Sequence, residues 1–305
     1  MNRRDVLRMC ALTAGLPHLA SQAQTAKPTS NQTMLMRKIP SSGEMLPVIG
    51  LGTWQTFDVA NDAAARAPLE DVLREFATLG GKLIDSSPMY GRSEDVAGEL
   101  IAKHSLRKKL FIATKIWTTG KTSGVAQAED SMKKLRAAPI DLLQVHNLLD
   151  VETHLRTLGD WKSQGRVRYI GVTHYTSSAY DAVAKVISAN AVDFLQINYS
   201  VGEREAEQRL LPLARERGIA VIINRPFAGG ELFRRLRGTP LPAWAAEIDC
   251  ASWAQLMLKF VISHPAITCA IPATARIEHL RDNMGAGLGR MPDEKMRARI
   301  AASVL

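Results

Sequence analysis

Cysteine is scarce, three in 305 residues. That is too few for a disulfide-held scaffold, and no clustered Cys/His spacing reads as a zinc site, so no metal centre is expected. Long apolar runs are missing too: nothing approaches the ~18 residues of a membrane span, so no stable membrane insertion is expected. Basic runs are short. Arg3-Arg4 and Arg234-Arg235-Leu236-Arg237 cannot track a phosphate backbone, no helix-turn-helix or stacking-aromatic pattern accompanies them, and nucleic acid is not an expected partner. What is present is a globular composition, 46% apolar and 23% charged, with 39 Lys+Arg against 30 Asp+Glu and a net charge of +9. Such a chain buries one large core or two modest ones.

The first residues read as an address. Arg3-Arg4 opens a basic start, residues 9–20 are mildly apolar, and the small residues Ser21 and Ala23 sit at a spacing that suits signal peptidase. With Val6, Leu7 and Arg8 behind them, the paired arginines resemble a twin-arginine export signal. That implies the twin-arginine export machinery as a partner and a periplasmic or otherwise exported protein. A basic N-terminus with no targeting role is the plainer alternative. Residues 1–23 are assigned to the signal peptide, the polar stretch 24–33 to a linker and 34–305 to one folded domain. Cys10 lacks the small preceding residues of a lipidation site. After cleavage only Cys250 and Cys269 remain; export permits a disulfide, but nothing places the two thiols within reach of each other.

Beyond the linker, residues 37–47 read as a β-hairpin with Ser42-Gly43-Glu44 at its tip. Short apolar runs then recur at 48–52, 82–85, 110–115, 141–146, 169–172, 194–198, 220–224 and 268–272. Between them lie segments of helical period at 68–79 (opened by Pro68), 94–104, 125–138, 154–164, 179–190, 205–217 and 252–263, then 277–286 and a last helix from about 292. Continuous rather than alternating apolar strands mean burial on both faces, hence a parallel sheet covered by helices. Eight such units in one domain predict an α/β fold, a (β/α)8 TIM barrel preceded by the hairpin. The long segment after the seventh strand, about 226–249, is expected to cover a ligand, with Leu232, Phe233 and Trp244 docking it.

In such a barrel the chemistry gathers at the C-terminal ends of the strands. Those ends carry Thr53 and Trp54; Asp85 with Tyr90; Lys115 with Trp117; His146 and Asn147; Thr173 and His174; Gln196 and Asn198; Asn224 and Arg225; Ala273 and Thr274. Any one of them is ordinarily a polar residue meeting solvent. An acid, a phenol, a lysine and an imidazole on three successive strand ends, however, make one proton-transfer cluster. The ammonium is expected to favour the phenolate and lower the tyrosine's pKa, while the carboxylate fixes the lysine.

Residues 84–94, Ile-Asp-Ser-Ser-Pro-Met-Tyr-Gly-Arg-Ser-Glu, are similar to the Asp-Thr-Ala-x-x-Tyr-Gly-x-Ser-Glu signature of the aldo-keto reductases. Residues 113–115, 141–146 and 165–172 match further segments of that family in the family's order, and the resemblance runs from about Met36 to the C-terminus. It implies Tyr90 as general acid, Lys115 tuning it, Asp85 holding Lys115 and His146 orienting the carbonyl. The reaction implied is hydride transfer from a reduced nicotinamide to an aldehyde or ketone. Trp54 and Trp117 would wall the pocket of a small carbonyl substrate, or else cap the barrel as structural aromatics.

On the cofactor side the match is looser. Thr53 joins that side from the first strand end. Thr173 and Gln196 sit where the family binds the nicotinamide carboxamide, and His174 replaces the usual Asn. Asn224 and Arg225 stand where the family has Tyr or Trp, then Ser, so the stacking aromatic is missing from its normal place. The Arg225 guanidinium can stack or pair with phosphate, and Gly229-Gly230 either closes over the pyrophosphate or is a plain turn. Residues 271–283 resemble the family's adenosine-phosphate segment, with Thr274 and Arg276 opening a helix whose N-terminus suits an anion. Arg276 is the candidate for the 2′-phosphate and His279 and Asn283 for the adenosine. The implied cofactor is NADP(H), with NAD(H) open because Ala273 stands where many members place a lysine. Two rival readings are an exported nicotinamide-binding sensor or accessory subunit with little turnover, and an exported barrel for some other ligand.

Overall fold

The computed structural model describes residues 33–305; the signal-peptide reading of 1–23, Cys10 included, and residues 24–32 of the linker lie outside the described residues. A hairpin comes first, β1 (Met36–Lys38) antiparallel to β2 (Met45–Pro47). Eight parallel strands follow: β3 (Leu51–Gly52), β4 (Leu83–Asp85), β5 (Phe111–Ile116), β6 (Ile140–His146), β7 (Val167–Thr173), β8 (Phe194–Asn198), β9 (Ala220–Asn224) and β10 (Cys269–Ala270), each bonded to the next in chain order. Every residue of β5 and β6 is buried, which is why these strands are not alternately polar. The expected barrel and hairpin are both present.

The ends of the sheet meet between β3 and β10, where Ile49 bridges Ala270 and Gly52 bridges Ala273. Gly50 N–H donates to Ala270 O at 2.8 Å, and Ala270 N–H donates to Val48 O at 2.9 Å. Space requires glycine on this seam: a Cβ on Gly50 would stand 2.8 Å from Leu83 O, and one on Gly52 2.8 Å from Ile271 O.

Alternation along β5 separates two cores. Phe111 and Ala113 point into the barrel, where they join Leu83, Leu142, Tyr169 and Phe194, while Ile112 packs outward beneath the helices. Ile39 and Leu46 of the hairpin belong to the inner cluster, so the hairpin plugs the barrel's N-terminal end. Polar contacts fix the plug: Tyr169 Oη lies 2.7 Å from both Ser42 Oγ and Glu44 Oε2. Arg168 joins Glu44 to the buried Asp141.

The surrounding helices are α1 (Ala63–Thr78), α2 (Ser93–Lys103), α3 (Lys121–Lys134), α4 (Val151–Ser163), α5 (Tyr180–Ala189), α6 (Leu210–Glu216), α7 (Glu231–Arg235), α8 (Trp253–Ile262), α9 (Ile277–Gly285) and α10 (Glu294–Val304). Three expectations need correction. α1 starts at Ala63 rather than Pro68, because Asp62 caps it by accepting from Ala65 N at 2.8 Å, and Pro68 is accommodated inside. The segment 205–217 is not one helix: a 3-10 turn at Glu205–Glu207 is separated from α6 by Arg209, whose backbone (φ −142°, ψ −51°) leaves the helical region. The hairpin turns at 40–42, with Gly43 (φ 79°) completing it, rather than at 42–44. Cys250 and Cys269 are both buried free thiols, and burial pushes the Cys250 thiol up to about 11.

The segment after β9 is ordered into α7 and a 3-10 stretch at Ala243–Ile248. Lys259, wholly buried in α8, holds it in place. Its ammonium donates to Ile248 O at 2.6 Å, Leu288 O at 2.7 Å and Arg290 O at 2.8 Å, tying this segment to the one before α10. Of the three docking side chains expected, Leu232 is buried and Trp244 lies under the Arg299 guanidinium at 4.4 Å. Phe233 remains half exposed and packs on Phe227 with ring centroids 4.8 Å apart.

Candidate active site

The C-terminal ends of the strands open into a cavity of about 640 Å³. At its base the four residues singled out for proton transfer come together. β4 ends on Asp85, the following loop carries Tyr90, β5 supplies Lys115, and β6 ends on His146. Lys115 is fully buried and Asp85 nearly so. The ammonium donates to Asp85 Oδ2 at 2.6 Å and to Ser86 O at 2.7 Å, and lies 4.9 Å from the centre of the Tyr90 ring. Tyr90 meets His146 edge to face, with centroids 5.9 Å apart and planes at 82°.

The electrostatics follow from burial and this pairing. Desolvation pulls the Lys115 pKa down, but the Asp85 carboxylate and the Tyr90 phenol outweigh it, and the net shift is upward; the ammonium is retained. For Tyr90 the expected lowering is not the outcome. Burial raises its pKa by more than Lys115 lowers it, so the phenol stays protonated and is a proton donor in this site. Burial, then Lys115, drives His146 down to about 2, so the imidazole is neutral.

Around the four, Gln196 Nε2 donates to Asp85 Oδ1 at 2.8 Å and its Oε1 accepts from Thr173 Oγ1 at 2.9 Å. Each end of that amide thus has one partner in the protein, which leaves one N–H and one lone pair of Gln196 for a ligand. Thr53 Oγ1 lies 3.0 Å from both Asp85 O and Ser86 Oγ. Trp54 and Trp117 line the cavity and are 45% and 42% exposed, so neither is a buried cap. Met89, Tyr175, Phe227 and Phe233 extend the apolar rim.

Asn224 and Arg225 line the opposite wall. Asn224 Nδ2 donates to His174 O at 3.0 Å, while Asn224 Oδ1 and Arg225 Nε have no partner among the described residues. Arg225 holds a left-handed backbone (φ 50°); its guanidinium lies 3.5 Å from where a Gly229 Cβ would be, and 3.9 Å from Glu203 Oε1. The His174 side chain is not brought into the cavity: it stacks on Tyr175 at 5.6 Å, and Thr176 N lies 3.3 Å from its Nδ1. Thr274, Arg276, His279 and Asn283 also lie outside the cavity's lining. Thr274 is buried, with Arg276 N donating to its Oγ1 at 3.1 Å, just ahead of α9. That helix begins without a side-chain cap, leaving its first N–H groups for another acceptor. Arg276 and His279 are exposed and Asn283 is buried.

Several contacting residues were missed from the sequence. Ser87 Oγ lies 3.1 Å from His146 Nδ1, and Gln144 Nε2 reaches Asp85 Oδ1 at 3.4 Å. Glu94, the last residue of the signature, is a buried acid that accepts from Thr114 and Ser131 and ties α2 to β5 and α3; burial raises its pKa. Its place in the signature was the only signal it gave. Among the described residues no His/Cys/Asp/Glu cluster could hold a metal.

The model of the Aldo/keto reductase family matches residues 48–302. Methylglyoxal reductase YeaE of Escherichia coli (strain K12) is 30% identical over 258 residues, covering 82% of this chain and 89% of that protein. Methylglyoxal reductase DkgB of Salmonella typhimurium is 26% identical over 247 residues, covering 78% of this chain and 86% of that protein. Among solved structures, an aldo-keto reductase from Klebsiella pneumoniae in complex with NADPH aligns with a TM-score of 0.72 at 25% identity, over 88% of this chain and 95% of that one.

Proposed function

The chain belongs to the aldo/keto reductase family, and from that premise we propose that it reduces an aldehyde or ketone with NADPH, Tyr90 giving the proton. One observation carries the reading: a protonated phenol, a buried ammonium locked to a carboxylate and a neutral imidazole converge at the base of one cavity. Tyr90 and His146 receive the carbonyl oxygen. Tyr90 gives its proton to that oxygen, and the Lys115 ammonium stabilises the phenolate left behind. Asp85 keeps Lys115 charged and in place.

The residues present fit a nicotinamide dinucleotide. Asn224 Oδ1 and Arg225 Nε lack partners beside the cavity, and the uncapped start of α9 next to Thr274 and Arg276 suits a phosphate. When bound, the reduced nicotinamide supplies the hydride to the carbonyl carbon. Thr53, Thr173, Gln196, Asn224 and Arg225 would hold its inner half. Arg276, His279 and Asn283 would hold the adenosine end, with Arg276 favouring NADPH over NADH. The His174 contribution is its carbonyl, which orients Asn224. The named relatives are methylglyoxal reductases, which supports a small carbonyl substrate; the Trp54, Met89 and Trp117 rim supports one with an apolar or aromatic body.

The test is NADPH oxidation over a panel of carbonyls, methylglyoxal and phenylglyoxal among them, with wild type and Tyr90→Phe. The variant should lose about 10²–10⁴-fold in kcat and keep its NADPH affinity; unchanged turnover would overturn the assignment. Asn224, in place of a stacking aromatic, favours a second reading, a cofactor-binding subunit with little turnover. Tight NADPH binding with no turnover on any carbonyl would select it. We also propose export by the twin-arginine route, supported by Arg3-Arg4 and the segment behind them. Retained periplasmic delivery of Arg3→Lys/Arg4→Lys protein would refute this.

A further inference from the structure

His146 has two ring nitrogens and, being neutral, one proton between them. If the proton sits on Nε2 the ring offers the cavity a donor; if on Nδ1, an acceptor. A substrate carbonyl oxygen needs the donor. The residue beside Nδ1 is Ser87, in the loop between Asp85 and Tyr90.

Ser87 is fully buried, and its hydroxyl has two neighbours among the described residues. Met89 N–H donates to Ser87 Oγ at 3.3 Å, and His146 Nδ1 lies 3.1 Å from it. A hydroxyl carries one proton and two lone pairs. The Met89 amide uses a lone pair, so the hydroxyl proton needs an acceptor, and Nδ1 is the one within reach. Were Nδ1 to carry the imidazole proton and donate to Ser87 instead, the serine proton would be buried without a partner. Nε2, for its part, has no hydrogen-bond partner among the described residues, and His146 lines the cavity.

We propose that Ser87 is a positioning residue for the reductase reaction: its hydroxyl donates to His146 Nδ1 and so holds the ring as the Nε2–H tautomer, a donor aimed at the carbonyl oxygen. Ser87→Ala removes two hydrogen bonds, the one to His146 Nδ1 and the one from Met89 N–H, whereas Ser87→Thr keeps the hydroxyl for both. The inference rests on the reductase reading for its kinetic consequence but not for the tautomer itself.

Long-range ¹H–¹⁵N NMR of the full enzyme labelled with ¹⁵N-histidine reads the tautomer directly, with His146→Ala assigning the signals. Wild type should show Nε2–H alone. Ser87→Ala should show a mixture, with kcat lowered about 3–10-fold, the range expected for one net hydrogen bond, and KM little changed. Ser87→Thr, which keeps the hydroxyl, should restore both. An Nδ1–H ring in the wild type would overturn the proposal. So would a Ser87→Ala enzyme whose tautomer is unchanged, whatever its activity. Wild type that turns over no carbonyl would count against the reductase reading alone, the tautomer still deciding the role of Ser87.

Discussion

Asp85→Asn is the most informative single change, because the structure limits its cost from both sides. The substitution keeps the shape and the acceptor for Gln196 and removes the charge that faces a fully buried ammonium at 2.6 Å. Breaking one side of a buried ion pair costs about 3–5 kcal/mol. Lys115 has an escape, which is to fold as the neutral amine. The cost of deprotonating it grows by about 1.4 kcal/mol for each pH unit below the ordinary lysine value near 10.4, a ceiling of about 4.6 kcal/mol at pH 7 and about 1.9 kcal/mol at pH 9. In the wild type the folded Lys115 pKa is raised. Its contribution is therefore fully present below the unfolded value and is lost only as pH climbs through the folded one, in the alkaline range. In the variant, burial is opposed only by Tyr90 and no longer by a carboxylate, and the folded pKa falls. The unfolded chain then binds more protons, and stability rises with pH. Urea unfolding of both proteins without cofactor at pH 6, 7, 8 and 9 should show a deficit of about 3–4.6 kcal/mol at pH 7 that narrows by more than about 1 kcal/mol by pH 9. A deficit under about 1 kcal/mol at pH 7, or one that does not change with pH, would refute the argument that an uncompensated buried ammonium is what the variant carries.

The pH profile of kcat for carbonyl reduction should be level from about 5 to 8. His146 titrates only at about 2, and Tyr90 loses its proton above the ordinary tyrosine value, so the fall comes on the alkaline side; a limb near pH 6.5 would show His146 ionising. Lys259→Met leaves the carbonyls of Ile248, Leu288 and Arg290 without their donor. It should cost about 1–3 kcal/mol, read as a Tm lowered by roughly 3–10 °C, and an unchanged Tm would argue that water replaces the ammonium. Arg225→Ala should weaken NADPH binding about tenfold, the loss of one charged contact, measured by fluorescence titration. Unaltered affinity would remove Arg225 from the cofactor site.

The barrel was legible because each strand is buried on two faces and so writes an unbroken apolar run, and because the chain returns to the same layer after every helix. The catalytic four were legible for a related reason: successive strand ends share one rim, so residues far apart in sequence fall into a predictable ring. Features that depend on a helix's first turn were read less well. Pro68 is a stronger mark than Asp62, yet the aspartate's bond to Ala65 N sets the start of α1. The role of Ser87 needed the third dimension, since nothing in residues 84–94 says that a loop after β4 faces the end of β6. Lys259 was invisible as well, the one charged letter in an apolar helix, with its three partners in two other segments. For Tyr90 the sign of the pKa shift depended on how far burial outweighs the ammonium, which is a property of depth rather than of order along the chain.

The seam between β3 and β10 has a consequence in time. Its two strands are two residues each, and they come from opposite ends of the domain. Closing it ties off nearly the whole sheet, so it is costly in chain entropy and becomes available only late in synthesis. The sheet therefore cannot close before its eighth strand has emerged. Trp54 on one lip and Pro272 and Ala273 on the other face the same cavity. A dinucleotide held there would touch both lips and act as a clasp, so its binding would stabilise the closed seam, with slower hydrogen exchange at Gly50 and Ala270 as its trace.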